Sequence, residues 1–289
     1  MPTTAWGFFY LHRILLHSEE MDAPAQSTTK QRLLLWLVFV VSLLLAIMLP
    51  RWLREIVWYN EQWSSWPYGV RSLVNTAWRL LAVFVGWWVM RSLLASQDRP
   101  TLGLRTSFRR GIKSFALGCA CTLPMLILGL LGDREQISSK LIYSTIVAGL
   151  SEEIIYRAFA FGLMVQVFRV KLWPAAVVSG VIFALAHLNV ASVRAMSIDG
   201  LIFWLALIAL GGVMYAWIYA RSGWSLWIVI ALHSAMNLWW GVFDLSSSPL
   251  GSWGATMVRI LSVGLAVYFV VFRSASRSPP DDAETTIRA

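Results

Sequence analysis

The amino-acid sequence predicts an all-α fold, a polytopic membrane bundle of about eight transmembrane helices. Of its 289 residues, 58% are apolar and only 13% are charged, and the mean hydropathy is +0.64. Soluble domains contain about 45–50% apolar and about 25% charged residues, and a soluble core of this size would still need a large polar exterior. A soluble domain is therefore excluded. A secreted disulfide scaffold is also excluded, because the chain has only two cysteines.

Eight apolar segments approach the length that crosses a bilayer, which is about 20 helical residues. In chain order they are Leu33–Leu49, Leu73–Ala95, Ser114–Leu131, Ser139–Phe168, Leu172–Leu188, Gly200–Ala220, Trp224–Phe243 and Met257–Phe272. The first is expected to stop at Pro50, because proline cannot continue the hydrogen-bond ladder of a helix. The fourth differs in kind, since it is too long for one perpendicular crossing and carries charged residues in its middle.

The basic residues predict the orientation of these helices. Residues 91–113 contain six arginines and lysines and a single acid, so the positive-inside rule places this loop in the cytoplasm. Both termini then face the cytoplasm, and the protein is expected in the cell inner membrane. The predicted organisation is a cytoplasmic segment over 1–32, a transmembrane domain over 33–272 and a disordered cytoplasmic tail over 273–289. Because orientation explains the net charge of +9, no nucleic-acid partner is expected.

Charged residues within the fourth segment are candidates for function, since an acid at mid-bilayer costs about 2.5–3.5 kcal/mol on insertion scales. Glu153 and Arg157 are four residues apart, acid before base, which is the favoured arrangement for an ion pair along a helix. This pair is expected to be structural. Glu152 has no basic neighbour at helical spacing and must face a polar cavity or a partner on another helix.

Three further polar residues lie in two other apolar segments. His187 ends the fifth segment, while His233 and Asn237 are one turn apart on one face of the seventh. Each of them alone is explained by hydrogen bonding between packed helices. Together with Glu152, they are expected to converge on water inside the membrane.

This set of side chains is compatible with two kinds of hydrolysis. A carboxylate and a histidine can deprotonate water, while a second histidine and an amide donate hydrogen bonds to the oxyanion of a tetrahedral intermediate. Two histidines and a glutamate are also a three-ligand set for catalytic zinc. The single-helix HExxH version of a zinc site is absent from the sequence, and the spacing by itself does not separate the two mechanisms.

Three short motifs carry a resemblance to a known family. Glu152 to Arg157 matches EExxxR, Phe183 to His187 matches FxxxH, and His233 to Asn237 matches HxxxN. In this order, on successive apolar helices, they resemble the CPBP family of intramembrane proteases. That family includes the type II CAAX prenyl endopeptidases and the Abi bacteriocin-immunity proteins. The resemblance covers about residues 101–243.

The resemblance implies an eight-helix glutamic endopeptidase that needs no cofactor and no metal. By motif, Glu152 is the base that activates water with help from His187, and His233 and Asn237 stabilise the oxyanion. Glu153, Arg157 and Phe183 are expected to support the site. The expected partners are the lipid bilayer and a membrane-anchored protein or peptide substrate.

Three alternatives stay open at this point. A metal-dependent variant of the same endopeptidase would use Glu152, His187 and His233 as ligands. A non-enzymatic immunity or scaffold protein could share the fold and bind a membrane peptide. A proton-coupled transporter would use the acid and the histidines as a relay, but the sequence lacks the internal duplication that many transporters show.

Overall fold

The fold is entirely helical over the part of the chain that the structure describes. The structure is a computed structural model, and it describes residues 28–95, 99–104, 107–131, 139–188, 193–194, 196–243, 245 and 253–275. Most of the predicted N-terminal segment and residues 276–289 of the predicted tail lie outside these residues. Residues 273–275, predicted as part of the disordered tail, are helical. Ten helices are described: α1 Thr29–Glu55, α2 Val57–Ser65, α3 Tyr68–Leu93, α4 Phe108–Cys121, α5 Leu123–Leu130, α6 over 139–166, α7 Leu172–Ala186, α8 Ile198–Arg221, α9 Leu226–Val242 and α10 Trp253–Ala275.

All eight predicted apolar segments are helical, which confirms the polytopic helical bundle. Three helices, α1, α3 and α8, and the stretch Trp253–Val271 of α10 are long and apolar enough to cross a membrane. Helices α4 and α5, bent by 41° at the break between them, are together long and apolar enough for a fifth crossing. Helices α7 and α9 are shorter apolar helices of 15 and 17 residues. The chain is therefore a multi-pass integral membrane protein.

Two proline positions correct the predicted boundaries. Helix α1 starts at Thr29 and continues through Pro50 to Glu55, so the prediction that Pro50 ends this helix is wrong. A membrane helix tolerates an interior proline. The Arg54 side chain donates to the Pro50 carbonyl oxygen at 3.0 Å, near the end of the helix. The third segment is broken at Thr122, two residues before Pro124, because the proline ring obstructs the carbonyl one turn earlier.

Helix α6 forms the centre of the bundle. Every residue from Glu153 to Val165 is buried, whereas the other long helices expose apolar side chains on one side. Its segment Glu153–Phe161 contacts α1, α3, α7, α8 and α9. A residue in this segment therefore faces another helix whichever way it points, and none of its side chains can avoid the interior.

Glycines allow the surrounding helices to approach closely. A Cβ atom built on Gly118 of α4 would lie 2.5 Å from the Ile228 carbonyl oxygen and 2.8 Å from the Ala231 Cβ atom, both on α9. Gly180 of α7 and Gly212 of α8 meet in the same way, since a Cβ atom on Gly212 would lie 2.8 Å from the Gly180 Cα atom. Small residues at such crossings replace the hydrophobic driving force that lipid cannot supply.

The α4–α9 crossing gives a stability prediction. Gly118→Ala is expected to destabilise the fold by about 1–3 kcal/mol, because the added methyl group meets backbone that cannot move away. The measurement is the thermal unfolding midpoint of the detergent-solubilised protein, followed by tryptophan fluorescence. Gly264→Ala is the matched control, because nothing lies within 4 Å of its Cβ position and alanine favours helix by up to about 1 kcal/mol. Equal midpoints for the two variants would contradict the prediction.

Candidate active site

The backbone of α6 changes geometry where the acidic residues begin. It is α-helical over Ala148–Glu152 and π-helical over Glu153–Phe161. A π-helical turn is wider than an α-helical one and occurs mostly at functional sites. The change falls between the two acids, so Glu152 and Glu153 leave the helix in different directions and meet different partners.

Glu153 is fully buried and has two partners. Its Oε1 atom lies 3.2 Å from the Arg157 Nη1 atom and 2.6 Å from the His233 Nδ1 atom. The predicted ion pair along the helix is therefore present, and the structure adds a histidine on α9. Because an ionised carboxylate can only accept hydrogen bonds, the His233 Nδ1 nitrogen carries the proton and donates it.

Glu152 faces two histidine rings from different helices. Its Oε2 atom lies 3.8 Å from the His233 Nε2 atom and 4.0 Å from the His187 Nε2 atom. These distances exceed the roughly 3.2 Å of a direct hydrogen bond, and a separation above about 3.5 Å is one that a water molecule can bridge. The side chains are 18% exposed for Glu152, 32% for His187 and 12% for His233. The three groups therefore face a space that small molecules can reach.

His187 is oriented by its own helix. Its Nδ1 atom lies 2.8 Å from the Phe183 carbonyl oxygen, one turn earlier in α7. A carbonyl oxygen accepts, so the Nδ1 nitrogen carries the proton and the Nε2 nitrogen that faces Glu152 is the acceptor when the ring is neutral. The hydrogen bond fixes both the tautomer and the direction of the ring.

Asn237 lies one turn after His233 on α9 and is partly exposed. Two residues four apart share a helix face, so the amide is on the side of α9 that carries His233. Within the described part of the chain, its side chain has no hydrogen-bond partner. The amide is therefore available to a substrate.

The Phe183 ring contacts two of the candidate site residues. The Arg157 guanidinium carbon lies 4.3 Å from the centre of the Phe183 ring and 5.1 Å from that of Tyr215, so the buried cation sits between two aromatic faces. The Phe183 ring also contacts the His187 ring, with centroids 4.5 Å apart. It therefore connects the buried ion pair with the histidine at the end of α7.

Sequence reasoning missed two residues near this site. Tyr215 of α8 is buried, its ring centroid is 5.7 Å from that of His233, and its hydroxyl donates to the Met236 sulfur at 3.1 Å. The sequence signal that could have identified Tyr215 is a phenol side chain within an apolar segment. Arg51 of α1 donates to the carbonyl oxygens of residues 186 and 188, at 3.2 Å and 3.3 Å. It therefore holds the carbonyl groups of the residues before and after His187, and a cation there also complements the C-terminus of α7.

The chemistry of the donor set bears on the open question of zinc. The two Nε2 atoms and the Glu152 carboxylate are ligand types that catalytic zinc uses. Among the described residues, however, no group of three or more histidine, cysteine, aspartate or glutamate side chains is arranged to hold a metal ion. The geometry therefore supports no reaction step through a metal.

Comparison with known proteins bears on the part of the chain that contains these residues. Residues 134–239 match the family model of the Rce1-like type II CAAX prenyl endopeptidases. The match includes all three motifs and confirms the resemblance to the CPBP and CAAX protease family. No curated protein matches the chain.

Proposed function

From the match of residues 134–239 to the family of Rce1-like type II CAAX prenyl endopeptidases, we propose that the chain hydrolyses a peptide bond of a membrane-anchored protein. In this proposal, Glu152 activates the attacking water. The observation that carries the proposal is the position of the Glu152 carboxylate between two histidine Nε2 atoms, 3.8 Å and 4.0 Å away. No other acid among the described residues of α6 faces two histidines across a gap of this size. The family match supports a membrane CAAX endopeptidase, and the roles of the individual side chains are the proposed part.

Attack by water is the first step. A water molecule between Glu152 and His187 gives one proton to the Glu152 carboxylate, while its second hydrogen atom bonds to the His187 Nε2 atom. The water oxygen forms a bond to the carbonyl carbon of the substrate, and the carbonyl oxygen takes the negative charge. General-base catalysis of this kind contributes about 10²–10⁴-fold to a rate.

Stabilisation of the resulting oxyanion is assigned to α9. The Nδ1 proton of His233 is engaged by Glu153, so His233 can donate to the oxyanion only from a protonated Nε2 atom. The Asn237 amide supplies a second donor from the same helix face. One oxyanion donor contributes about 10²–10³-fold.

Collapse of the intermediate completes the reaction. The carbon–nitrogen bond breaks, and the proton held by Glu152 passes to the departing amine. Glu152 returns to its ionised form, and the products are a new carboxylate and a new amine. No covalent intermediate with the enzyme is formed, so no serine or cysteine nucleophile is needed.

The setting of the reaction follows from the basic loops. We propose that both termini are cytoplasmic and that the chain lies in the cell inner membrane, with the transmembrane domain over 33–272. The support is the excess of arginine and lysine over residues 91–113. A substrate attached to the membrane by a lipid or a hydrophobic segment reaches the site from within the bilayer plane.

The test uses the purified protein in lipid nanodiscs and a farnesylated peptide that ends in a CAAX sequence. We expect mass spectrometry to find two fragments, with one oxygen of the new carboxylate derived from labelled water. Absence of cleavage for this peptide and for a matched peptide with a hydrophobic anchor would overturn the proposal.

Chelation separates the two hydrolytic mechanisms. We expect cleavage to survive strong chelators with less than twofold loss, and the active protein to contain less than stoichiometric zinc, because Glu152 alone acts as the base. Activity is measured before and after chelation in the same preparation, and zinc is quantified by elemental analysis. Activity abolished by chelation and restored by added zinc would instead make Glu152, His187 and His233 ligands.

A further inference from the structure

One face of α3 carries polar atoms that the protein does not satisfy. The Arg71 Nε, Asn75 Oδ1, Trp78 Nε1 and Arg79 Nε atoms are shielded from solvent and have no hydrogen-bond partner among the described residues. The four side chains are spaced at i, i+4, i+7 and i+8, which places them on one side of the helix. The row therefore extends along about two turns of a membrane-spanning helix. We call it the α3 polar face.

Such a row is unfavourable unless something binds it. A polar group moved from water to an apolar environment without a hydrogen bond costs about 2–7 kcal/mol on transfer scales, and polar residues within membrane spans mark functional sites. Arg71 lies near the start of α3, so its side chain can extend to the membrane surface and keep its charge in water. Arg79 cannot do so, because it is 11 residues into the helix, or about 16 Å from its start.

Helix α3 lies beside the candidate active site. Helix α3 contacts both the Ala148–Glu152 and the Glu153–Phe161 segments of α6. The charged groups that act on the Tyr156 hydroxyl are Arg79, Glu152, Arg157 and Arg51. Tyr156 is one turn after Glu152, so the cation of Arg79 acts on the same region as the carboxylate that we assign as the base.

We propose that Arg79, together with Arg71 on the same face of α3, forms a subsite that binds the free C-terminal carboxylate of the substrate. This inference rests on the proposed function and deepens it, because it names the part of the substrate that is recognised. The arginine guanidinium pairs with a carboxylate through two parallel hydrogen bonds. The unpartnered atom of Asn75 is an oxygen that can only accept, so Asn75 is not assigned to the carboxylate.

The chemistry of a CAAX sequence agrees with such a subsite. The lipidated cysteine of this sequence is followed by only three residues, so a substrate brings a terminal carboxylate within about 10 Å of the lipidated cysteine when its tail is extended. An anion in a site of low dielectric constant is costly unless a cation pairs with it. A phosphate of a lipid headgroup has the same charge and hydrogen-bonding chemistry, so the experiment must distinguish these two sources.

The test compares two peptides that differ only at the end of the chain. One is a farnesylated CAAX peptide with a free carboxylate, and the other is the same peptide as a C-terminal amide. For the wild-type enzyme in nanodiscs, we expect the KM for the acid to be at least tenfold lower than the KM for the amide. For Arg79→Gln, we expect this ratio to fall to below threefold, with the KM for the amide unchanged, and Arg79→Lys should retain an intermediate ratio.

The matched control is Arg54→Gln. Arg54 is an exposed arginine near the end of α1, so the substitution removes one positive charge without touching the α3 polar face. We expect the wild-type ratio for this variant. The KM values for the acid and the amide are both measured on the same preparation of each variant. An inactive fraction of the protein therefore does not change their ratio.

Two results would overturn the subsite. One is a wild-type enzyme with equal KM values for the acid and the amide, which needs no variant and is unaffected by folding defects. The other is an Arg79→Gln enzyme that keeps the full ratio of the two KM values. This result includes the one expected for a headgroup site, in which activity on both peptides depends equally on anionic lipid. A wild-type enzyme that cleaves neither peptide would instead contradict the proposed function.

Discussion

Glu152→Gln is expected to lower kcat by at least about 10³-fold while leaving KM within about threefold of the wild-type value. Glutamine keeps the shape of the side chain but cannot accept a proton from water, so general-base catalysis is lost. The measurement is cleavage of the farnesylated CAAX peptide, with fragments quantified by mass spectrometry over long incubations. Because Glu152 is only partly buried, we expect the unfolding midpoint to change little.

Glu61→Gln is the control for this variant. It removes the same charge from an exposed position on α2, away from the histidines, and should cleave at the wild-type rate. Cleavage by Glu152→Gln within tenfold of wild type would contradict the assignment of the base. Full rescue of a deletion strain by both Glu152→Ala and His187→Ala would favour a non-enzymatic immunity or scaffold role for the fold.

Glu153→Gln is expected to lower kcat by about 10²-fold through its effect on His233. Without the carboxylate, the hydrogen bond that orients the His233 ring is lost, and removal of one oxyanion donor costs about 10²–10³-fold. If Glu153 acts through His233, the double variant Glu153→Gln/His233→Gln should be no slower than His233→Gln alone. The measurement is kcat for the two single variants and the double variant.

Glu153 also neutralises the buried Arg157, so its replacement affects the fold. Removal of one partner from a buried ion pair typically costs about 3–5 kcal/mol, and activities are therefore normalised to the folded fraction of each preparation. Glu153→Gln combined with Asn237→Ala is the matched comparison, because the amide does not depend on Glu153 and the two effects should multiply. If the losses of kcat from Glu153→Gln and His233→Gln multiply in the double variant, Glu153 does not act through His233.

Much of the candidate site could be found from the order of residues along the chain. Glu152, His187, His233 and Asn237 stand out because charged or polar side chains are rare within apolar segments, whatever their partners are. The ion pair between Glu153 and Arg157 was also predictable, since both residues lie on one helix and their spacing fixes their approach. These features depend only on local geometry and on composition.

Other features could not be predicted because they depend on contacts between distant parts of the chain. The hydrogen bond from His233 to Glu153 joins residues 80 positions apart, and the contacts of Arg51 with α7 span 135 and 137 positions. The wider turn that begins at Glu153 has no sequence signal of its own. The passage of α1 through Pro50 reversed a local rule, because membrane-spanning helices tolerate an interior proline.

By itself, the sequence determined that this protein is a multi-pass helical bundle and which polar residues lie inside it, because the bilayer sets the length and the apolar character of each crossing. Only the tertiary structure decided which of those residues meet. It set Glu152 opposite two imidazole rings, gave Glu153 a histidine as well as an arginine, and packed α3 against α6. The physical reason is that apolar length is a property of one segment, whereas the direction of a side chain depends on how several helices pack around it.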